Sequence, residues 1–161
     1  LTAVLSAAAA HRGTSLVEIY QNCPIFNDGA FDAIKNNDTK ADAIIPLVHG
    51  EPITFSAGTK GLIRDSRTGG VKIIDTADVP ADSLLVHDAH NPDPSQAFAI
   101  SRLTEMGYLN QTPIGIFRQV ARPTYDDQAR AQVTTATDAT PGTPTERLTN
   151  LINSGDTWTV V

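Results

Sequence analysis

The sequence predicts an α+β fold, in which the last helix and strand of an α/β unit are followed by a small antiparallel sheet with helices. Near the start, a helical pattern runs through a glycine turn directly into a short apolar run. Further along, strand-like runs alternate with turn residues, and capped helical patterns then fill the last third. Together these features favour a mixed fold over an all-helical or all-strand one.

The first element is a helix, because apolar residues recur at helical spacing and Gly13 follows the basic pair His11 and Arg12. The apolar run 16–20 then predicts a buried strand. Turn-forming residues follow, and they place Cys23 just beyond the end of that strand. In open α/β sheets this edge is where ligands bind.

A polar, non-periodic stretch at 36–42 predicts a boundary, so we expect residues 1–35 to be the end of an α/β domain and 36–161 to be a C-terminal extension. Short β-prone runs separated by glycine-containing turns predict an antiparallel meander. These runs are 53–55, 61–64 and 71–74.

The remaining elements are predicted from caps and short apolar runs. Strands are expected at 84–86 and 113–117. Helices are expected from Asp93 to Met106 with a stop at Gly107, from Thr124 to about residue 135, and from Thr143 to Gly155. Residues 158–161 fit either a terminal strand or a tail that docks on a partner.

Bulk properties exclude several classes of protein. The net charge of −6 disfavours nucleic-acid binding, and no apolar stretch reaches the about 18 residues that a membrane helix needs. A single cysteine and an opening without signal-peptide features favour a reducing cytoplasm. The chain opens with Leu1 inside a helical pattern, which predicts a piece of a longer protein whose first helix and strand expose apolar surface.

Cys23 is the residue with the widest range of possible chemical roles, and its spacing leaves three alternatives open. It could be a nucleophile, a ligand of a metal or cluster, or a small buried hydrophobe, and spacing alone favours the last. A nucleophile needs a base, but His49, His87 and His90 form no spacing signature with it. An iron–sulfur cluster needs several thiolates, and this chain supplies one.

Other polar groups are weaker candidates. His87 and His90, with Asp82, Asp88 and Asp93 nearby, could be imagined as a metal site, but solvent-facing turn residues are the favoured interpretation. Three arginines could grip a substrate carboxylate, although surface ion pairs are their commoner use. These are Arg64, Arg118 and Arg122. Trp158 fits an interface anchor and core packing about equally.

Residues 11–31 closely resemble the beta subunit of 2-oxoacid:ferredoxin oxidoreductases, most specifically in the motif Gln-Asn-Cys-Pro-Ile-Phe-Asn-Asp at 21–28. Shorter matching segments follow along most of the chain. They are 49–53, 86–88, 97–103, 115–118, 122–126 and 156–160. Together the segments look most like the 2-oxoglutarate-type (2-oxoglutarate synthase) beta subunits of actinobacteria.

The resemblance implies an enzyme complex that oxidatively decarboxylates 2-oxoglutarate with coenzyme A to succinyl-CoA, CO2 and reduced ferredoxin. Its implied cofactors are thiamine diphosphate, Mg²⁺ and a [4Fe-4S] cluster, and its implied partners are the alpha subunit and ferredoxin. The family's motif assigns Cys23 as one cluster ligand. The other ligand cysteines and the Gly-Asp-Gly motif for Mg²⁺ and diphosphate have no counterpart here, so residues 1–35 would be the end of the thiamine-diphosphate-binding domain.

The resemblance therefore assigns no catalytic and no organic-cofactor-binding residue to this chain, which we expect to be inactive alone. Three alternatives stay open. Pyruvate or another 2-oxoacid could be the substrate, the chain could be a non-catalytic binding or scaffold domain, or Cys23 could serve a cysteine-dependent enzyme.

Overall fold

The computed structural model describes residues 1–106, 110–158 and 160. It divides into two compact units, Leu1–Ala121 and Arg122–Val161. Helices and strands are mixed in it, with a small antiparallel sheet, so the predicted α+β class is confirmed. The predicted boundary between 35 and 36 concerns the relation to a larger domain and stays a prediction.

The predicted antiparallel meander is present. Its strands are β1 (Thr54–Phe55), β2 (Lys60–Arg64) and β3 (Val71–Asp75), which pair in chain order. The β1–β2 turn places Ser56 and Ala57 in the left-handed region, at φ of 51° and 52°. This conformation is uncommon for residues other than glycine.

The structure contains a parallel pair of strands, of which the sequence predicted only one. The strand β4 (Ile44–Leu47) pairs with β5 (Thr112–Gly115), which overlaps the predicted strand 113–117. Pro46 obscured β4 in the sequence because a proline inside an apolar run argues against a central strand. In the structure Pro46 is exposed. Among the described residues, β4 pairs with β5 alone, so one of its edges has no partner strand. An edge strand can accommodate a proline, which has no N–H to donate.

The hydrophobic core lies where these two sheets and one helix meet. Partly buried residues such as Val71, Leu103 and Phe117 pack around it. The buried residues of the core are Ile45, Leu47, Ile53, Phe55, Leu62 and Ile100. Burial of such side chains contributes about 1.5–3 kcal/mol each, so the stability of this unit comes mainly from residues between 43 and 100.

Two predicted strands are wrong. Residues 14–22, including the predicted strand 16–20, form no helix or strand, and Leu16 is 96% exposed. An apolar run needs a neighbouring strand to satisfy its backbone, and no described strand pairs with this one. The run 84–86 forms only an isolated bridge between Val86 and Pro52. The backbone of Leu85 bonds to both Ile53 and Leu62.

The helices of the first unit are short, except for the opening one. They are α1 (Thr2–Ala10), α2 (Asp32–Lys35), α3 (Lys40–Ala43) and α4 (Ser95–Ser101), and Arg102–Met106 continues α4 as a 3-10 helix. The Asp93 carboxylate accepts from the Ser95 amide at 2.9 Å, as its predicted capping role requires, although Pro94 is the cap residue itself. The predicted stop at Gly107 lies outside the described residues.

The second unit consists of α5 (Tyr125–Ala139) and α6 (Pro144–Ile152), each opened by a complete capping box. Thr124 and Thr143 are the cap residues, as predicted. The first of these helices extends beyond the predicted end near 135, and the second ends before Gly155. Of the predicted terminal strand, Trp158 and Val160 lie outside any strand, while residues 159 and 161 are not described.

Candidate functional site

Cys23 lies in a closed loop, residues 22–29, here called the Cys23 loop. The Asn27 amide donates to the Cys23 carbonyl at 2.9 Å and closes a tight turn around Pro24. The side chain of Asn22 joins the two ends of the loop. Its Nδ2 donates to Asp28 Oδ1 at 2.9 Å, and its Oδ1 accepts from the Gly29 amide at 3.0 Å.

The backbone of the Cys23 loop lowers the pKa of the Cys23 thiol. The amide of Phe26, then that of Ile25 and, more weakly, that of Asn27 lower the pKa of Cys23 below its ordinary value, and partial burial opposes them. Hydrogen-bond donors of this kind favour the charged form of a thiol, so the loop favours the thiolate of Cys23.

The apolar side chains that follow Cys23 in the loop are exposed. Ile25 is 82% exposed and Phe26 is 89% exposed, while Cys23 itself is half-buried. A structural thiol is normally enclosed in a core. The interpretation of Cys23 as a small buried hydrophobe, which spacing alone favoured, is therefore wrong.

The histidines lie in a different part of the first unit. His87 is only 1% exposed, and its Nε2 donates to the Ile116 carbonyl at 2.8 Å. His49 and His90 stack edge to face with ring centroids 4.3 Å apart. His49 Nδ1 accepts from the Ala89 amide at 3.2 Å. The expectation of solvent-facing turn residues is thus wrong for His87, because its ring closes the packing between two loops.

The structure also shows where the weaker candidates lie, the histidine pair and the three arginines. No group of three or more His, Cys, Asp or Glu side chains among the described residues could hold a metal ion, which removes the weak metal hypothesis for His87 and His90 there. Arg64, Arg118 and Arg122 are all exposed, and Arg118 donates to the Pro92 carbonyl at 2.9 Å. Hydrogen bonds from Ser95, and then the charges of Arg64 and Arg118, lower the pKa of Asp93, so these two arginines lie near a carboxylate of the chain itself.

Trp158 is 84% exposed, so of its two interpretations core packing is wrong. Among the described residues, no helix is both long and apolar enough to cross a membrane.

Sequence reasoning found Cys23 but missed the side chain that shapes its loop. Asn22 bonds to residues on the far side of the turn, and nothing in residue spacing shows that contact. The available signal was the pair of Asx residues, Asn22 and Asp28, at either end of a turn segment, because short polar side chains bond readily to nearby backbone.

Comparisons with known proteins agree with the resemblance seen in the sequence. No protein-family profile matches the chain, and no solved structure matches it. The 2-oxoglutarate oxidoreductase subunit KorB of Mycobacterium tuberculosis is 49% identical over 160 residues, which is 99% of this chain and 42% of that protein. The chain thus spans less than half the length of this curated relative. The resemblance stated from the sequence is confirmed: over almost its whole length, this chain is similar to part of a 2-oxoglutarate oxidoreductase subunit.

Proposed function

We propose that this chain is the C-terminal part of the beta subunit of a 2-oxoglutarate:ferredoxin oxidoreductase. The observation that carries the proposal is the 49% identity to KorB, which extends over 99% of the chain without being confined to one motif. The printed name of that relative specifies 2-oxoglutarate, so this substrate is favoured over pyruvate and other 2-oxoacids.

Within that complex, Cys23 would supply one thiolate ligand to a [4Fe-4S] cluster. The residues present fit this role, because cluster ligands are thiolates and the amides of residues 25–27 stabilise a thiolate at this position. Since this chain contains one cysteine, the remaining ligands would come from outside it.

The other implied cofactors would be bound elsewhere in the complex. When bound, thiamine diphosphate with Mg²⁺ supplies the decarboxylation chemistry, and coenzyme A accepts the acyl group. Residues 36–161 would pack against the alpha subunit and the cofactor-binding domain. Ferredoxin would accept the electrons from the complex. We place the complex in the cytoplasm and expect the chain alone to be inactive.

The test is a Cys23→Ser variant of the complete oxidoreductase complex. We expect it to lose the iron and acid-labile sulfide of one cluster and the corresponding electron paramagnetic resonance signal. Ser15→Ala, which alters one exposed hydroxyl in the same unit, serves as the control and should keep both. Retention of a full cluster by Cys23→Ser would contradict the ligand assignment.

A second measurement tests the substrate. The wild-type complex should reduce ferredoxin with 2-oxoglutarate and coenzyme A much faster than with pyruvate. A preference for pyruvate would move the chain to another 2-oxoacid oxidoreductase, while the absence of turnover with any 2-oxoacid would favour a non-catalytic binding role.

A further inference from the structure

Asp28 and Gly29 form the only aspartate–glycine pair in the sequence, and no asparagine is followed by glycine. Such a pair is prone to spontaneous rearrangement, because glycine has no side chain to shield its amide nitrogen. The Gly29 nitrogen bonds to Cγ of Asp28, and the carboxyl hydroxyl leaves with the amide proton as water. A second water molecule then breaks the original peptide bond of this succinimide ring and leaves isoaspartate, whose main chain runs through the side chain.

Burial does not protect this pair. Asp28 and Gly29 are both exposed, and Gly29 has a left-handed backbone with φ of 76°. They lie in the Cys23 loop, and no residue from 1 to 42 is buried. In this part of the chain, all of which the structure describes, restraint on the two reacting groups must therefore come from hydrogen bonds.

The side chain of Asn22 holds both reacting groups. Its Nδ2 donates to Oδ1 of Asp28 at 2.9 Å, and its Oδ1 accepts from the Gly29 amide at 3.0 Å. These two bonds are here called the Asn22 bridge. The amide proton that must leave for ring closure is the one bonded to Asn22, and the carboxyl group that must turn toward the nitrogen is held by the other end of the same side chain.

We propose that Asp28 is a site of spontaneous isoaspartate formation and that the Asn22 bridge protects it. Isomerisation would add a carbon atom to the main chain before Gly29, so it would also separate the two ends of the loop that the bridge joins. The inference does not depend on the proposed function, because the reaction involves only the chain's own backbone, one carboxyl group and water.

The experiment incubates the full-length protein at neutral pH for several weeks and follows isoaspartate at position 28. Trypsin cleavage at Arg12 and Lys35 releases residues 13–35 as one peptide. Liquid chromatography separates its aspartate and isoaspartate forms, and electron-transfer dissociation locates the isoaspartate. A synthetic peptide with the sequence of residues 13–35 is incubated in parallel, because it lacks the fold and gives the unprotected rate.

We expect the folded wild type to form isoaspartate at position 28 more slowly than the free peptide. Asn22→Ala removes both bonds and should accelerate the reaction about tenfold, as expected when hydrogen bonds of ordinary net strength are lost. Asn27→Ala removes another asparagine side chain of the same loop, one that is exposed and takes no part in the bridge. This control should keep the wild-type rate.

A second variant covers the case in which Asn22→Ala does not fold, which thermal unfolding would reveal. Asn22→Asp keeps an acceptor for the Gly29 amide and loses only the donor to Asp28. It should therefore show a smaller acceleration, and a rate equal to that of the wild type would count against the bridge.

Three further results would overturn the inference. Equal rates in the folded wild type and the free peptide would mean that Asp28 is not protected. Equal rates in the wild type and a folded Asn22→Ala would mean that the bridge is not the source of protection. Equal acceleration in Asn27→Ala would assign the protection to the loop as a whole. None of these results decides whether Cys23 is a cluster ligand, which Cys23→Ser tests separately.

Discussion

The central region, residues 43–121, and the N-terminal region, residues 1–42, belong to the same unit but are built differently. Among the described residues of that unit, the central region contains both sheets and every core residue. In the N-terminal region, all of which the structure describes, no residue is buried. Leu16, Ile25 and Phe26 are instead more than four-fifths exposed, at 96%, 82% and 89%. The expected exposure of apolar surface in the first helix and the run that follows is confirmed.

This difference teaches that local secondary structure and a buried core are separate requirements. The helix α1 forms from a good helical composition, yet it buries nothing. Most helical stability in proteins comes from packing an apolar face rather than from propensity. We therefore expect the N-terminal region, which carries Cys23, to depend on surfaces that the described residues do not supply.

The largest expected effect is the difference in stability loss between alanine variants of two leucines, one in each region. Leu62 is 0% exposed and Leu16 is 96% exposed. Leu62→Ala leaves a cavity in the core and should lower the free energy of unfolding by about 2–5 kcal/mol. Leu16→Ala should change it by less than about 0.5 kcal/mol. Urea denaturation of both variants measures this, and equal losses would mean that the N-terminal region shares the core.

A smaller loss is expected at Gly115 in β5. Its φ is +145°, and an added Cβ would lie 2.6 Å from the Leu47 carbonyl oxygen in β4. Gly115→Ala should therefore strain the parallel pair and destabilise the chain by about 1–3 kcal/mol. Gly155→Ala meets nothing within 4 Å and is the matched control. Thermal unfolding that shifts equally in both variants would contradict a close approach at Gly115.

The second unit offers a test of helices without buried residues, because none of its described residues is buried. Thr143 accepts from the Glu146 amide at 3.3 Å and caps α6. Thr143→Ala should cost about 1 kcal/mol in helix stability. We expect circular dichroism to show lost helix content without a change in the unfolding of the core. Thr149→Ala, inside the same helix, should not reduce helicity, and equal loss in both would argue against capping.

The smallest expected effect is a pH dependence in the β2–β3 turn of the central region. The Arg67 amide, and then the Thr68 hydroxyl, lower the pKa of Asp65 below its ordinary value of 3.8. Because the folded-state pKa is lowered, this stabilisation is fully present above about pH 4 and is lost as the pH falls through the folded value.

Hydrogen exchange of the Arg67 amide at decreasing pH, corrected for intrinsic rates, measures this dependence. Protection should fall below about pH 4 in the wild type. In Asp65→Asn the corrected protection should not change with pH across that range. An identical pH dependence in the variant would assign the effect to another carboxylate.

The parts of the fold that were predictable depend on local signals. Thr124 and Thr143 mark their helices because a capping box is complete within one helical turn. The meander followed from glycine turns between short β-prone runs. In contrast, β4 was missed because Pro46 interrupts its apolar pattern and its partner β5 lies far along the chain.

The site was predictable only in part for a similar reason. The motif at 21–28 identified Cys23 through resemblance, but spacing alone pointed to a buried thiol. What shapes the site is the Asn22 bridge and the amides of residues 25–27, and both depend on loop geometry. The run 16–20 was assigned to a strand because apolar content indicates burial without indicating the partner that would provide it.

Hydrogen exchange of the chain alone and of the complete complex tests the contrast between the two regions most directly. Amides of β2 should exchange slowly in both samples, because they belong to a sheet with its own core. Amides of residues 14–22 should exchange quickly in the chain alone and become protected in the complex. Equally fast exchange of these residues in both samples, or slow exchange in the chain alone, would contradict the expectation that the N-terminal region depends on surfaces outside this chain.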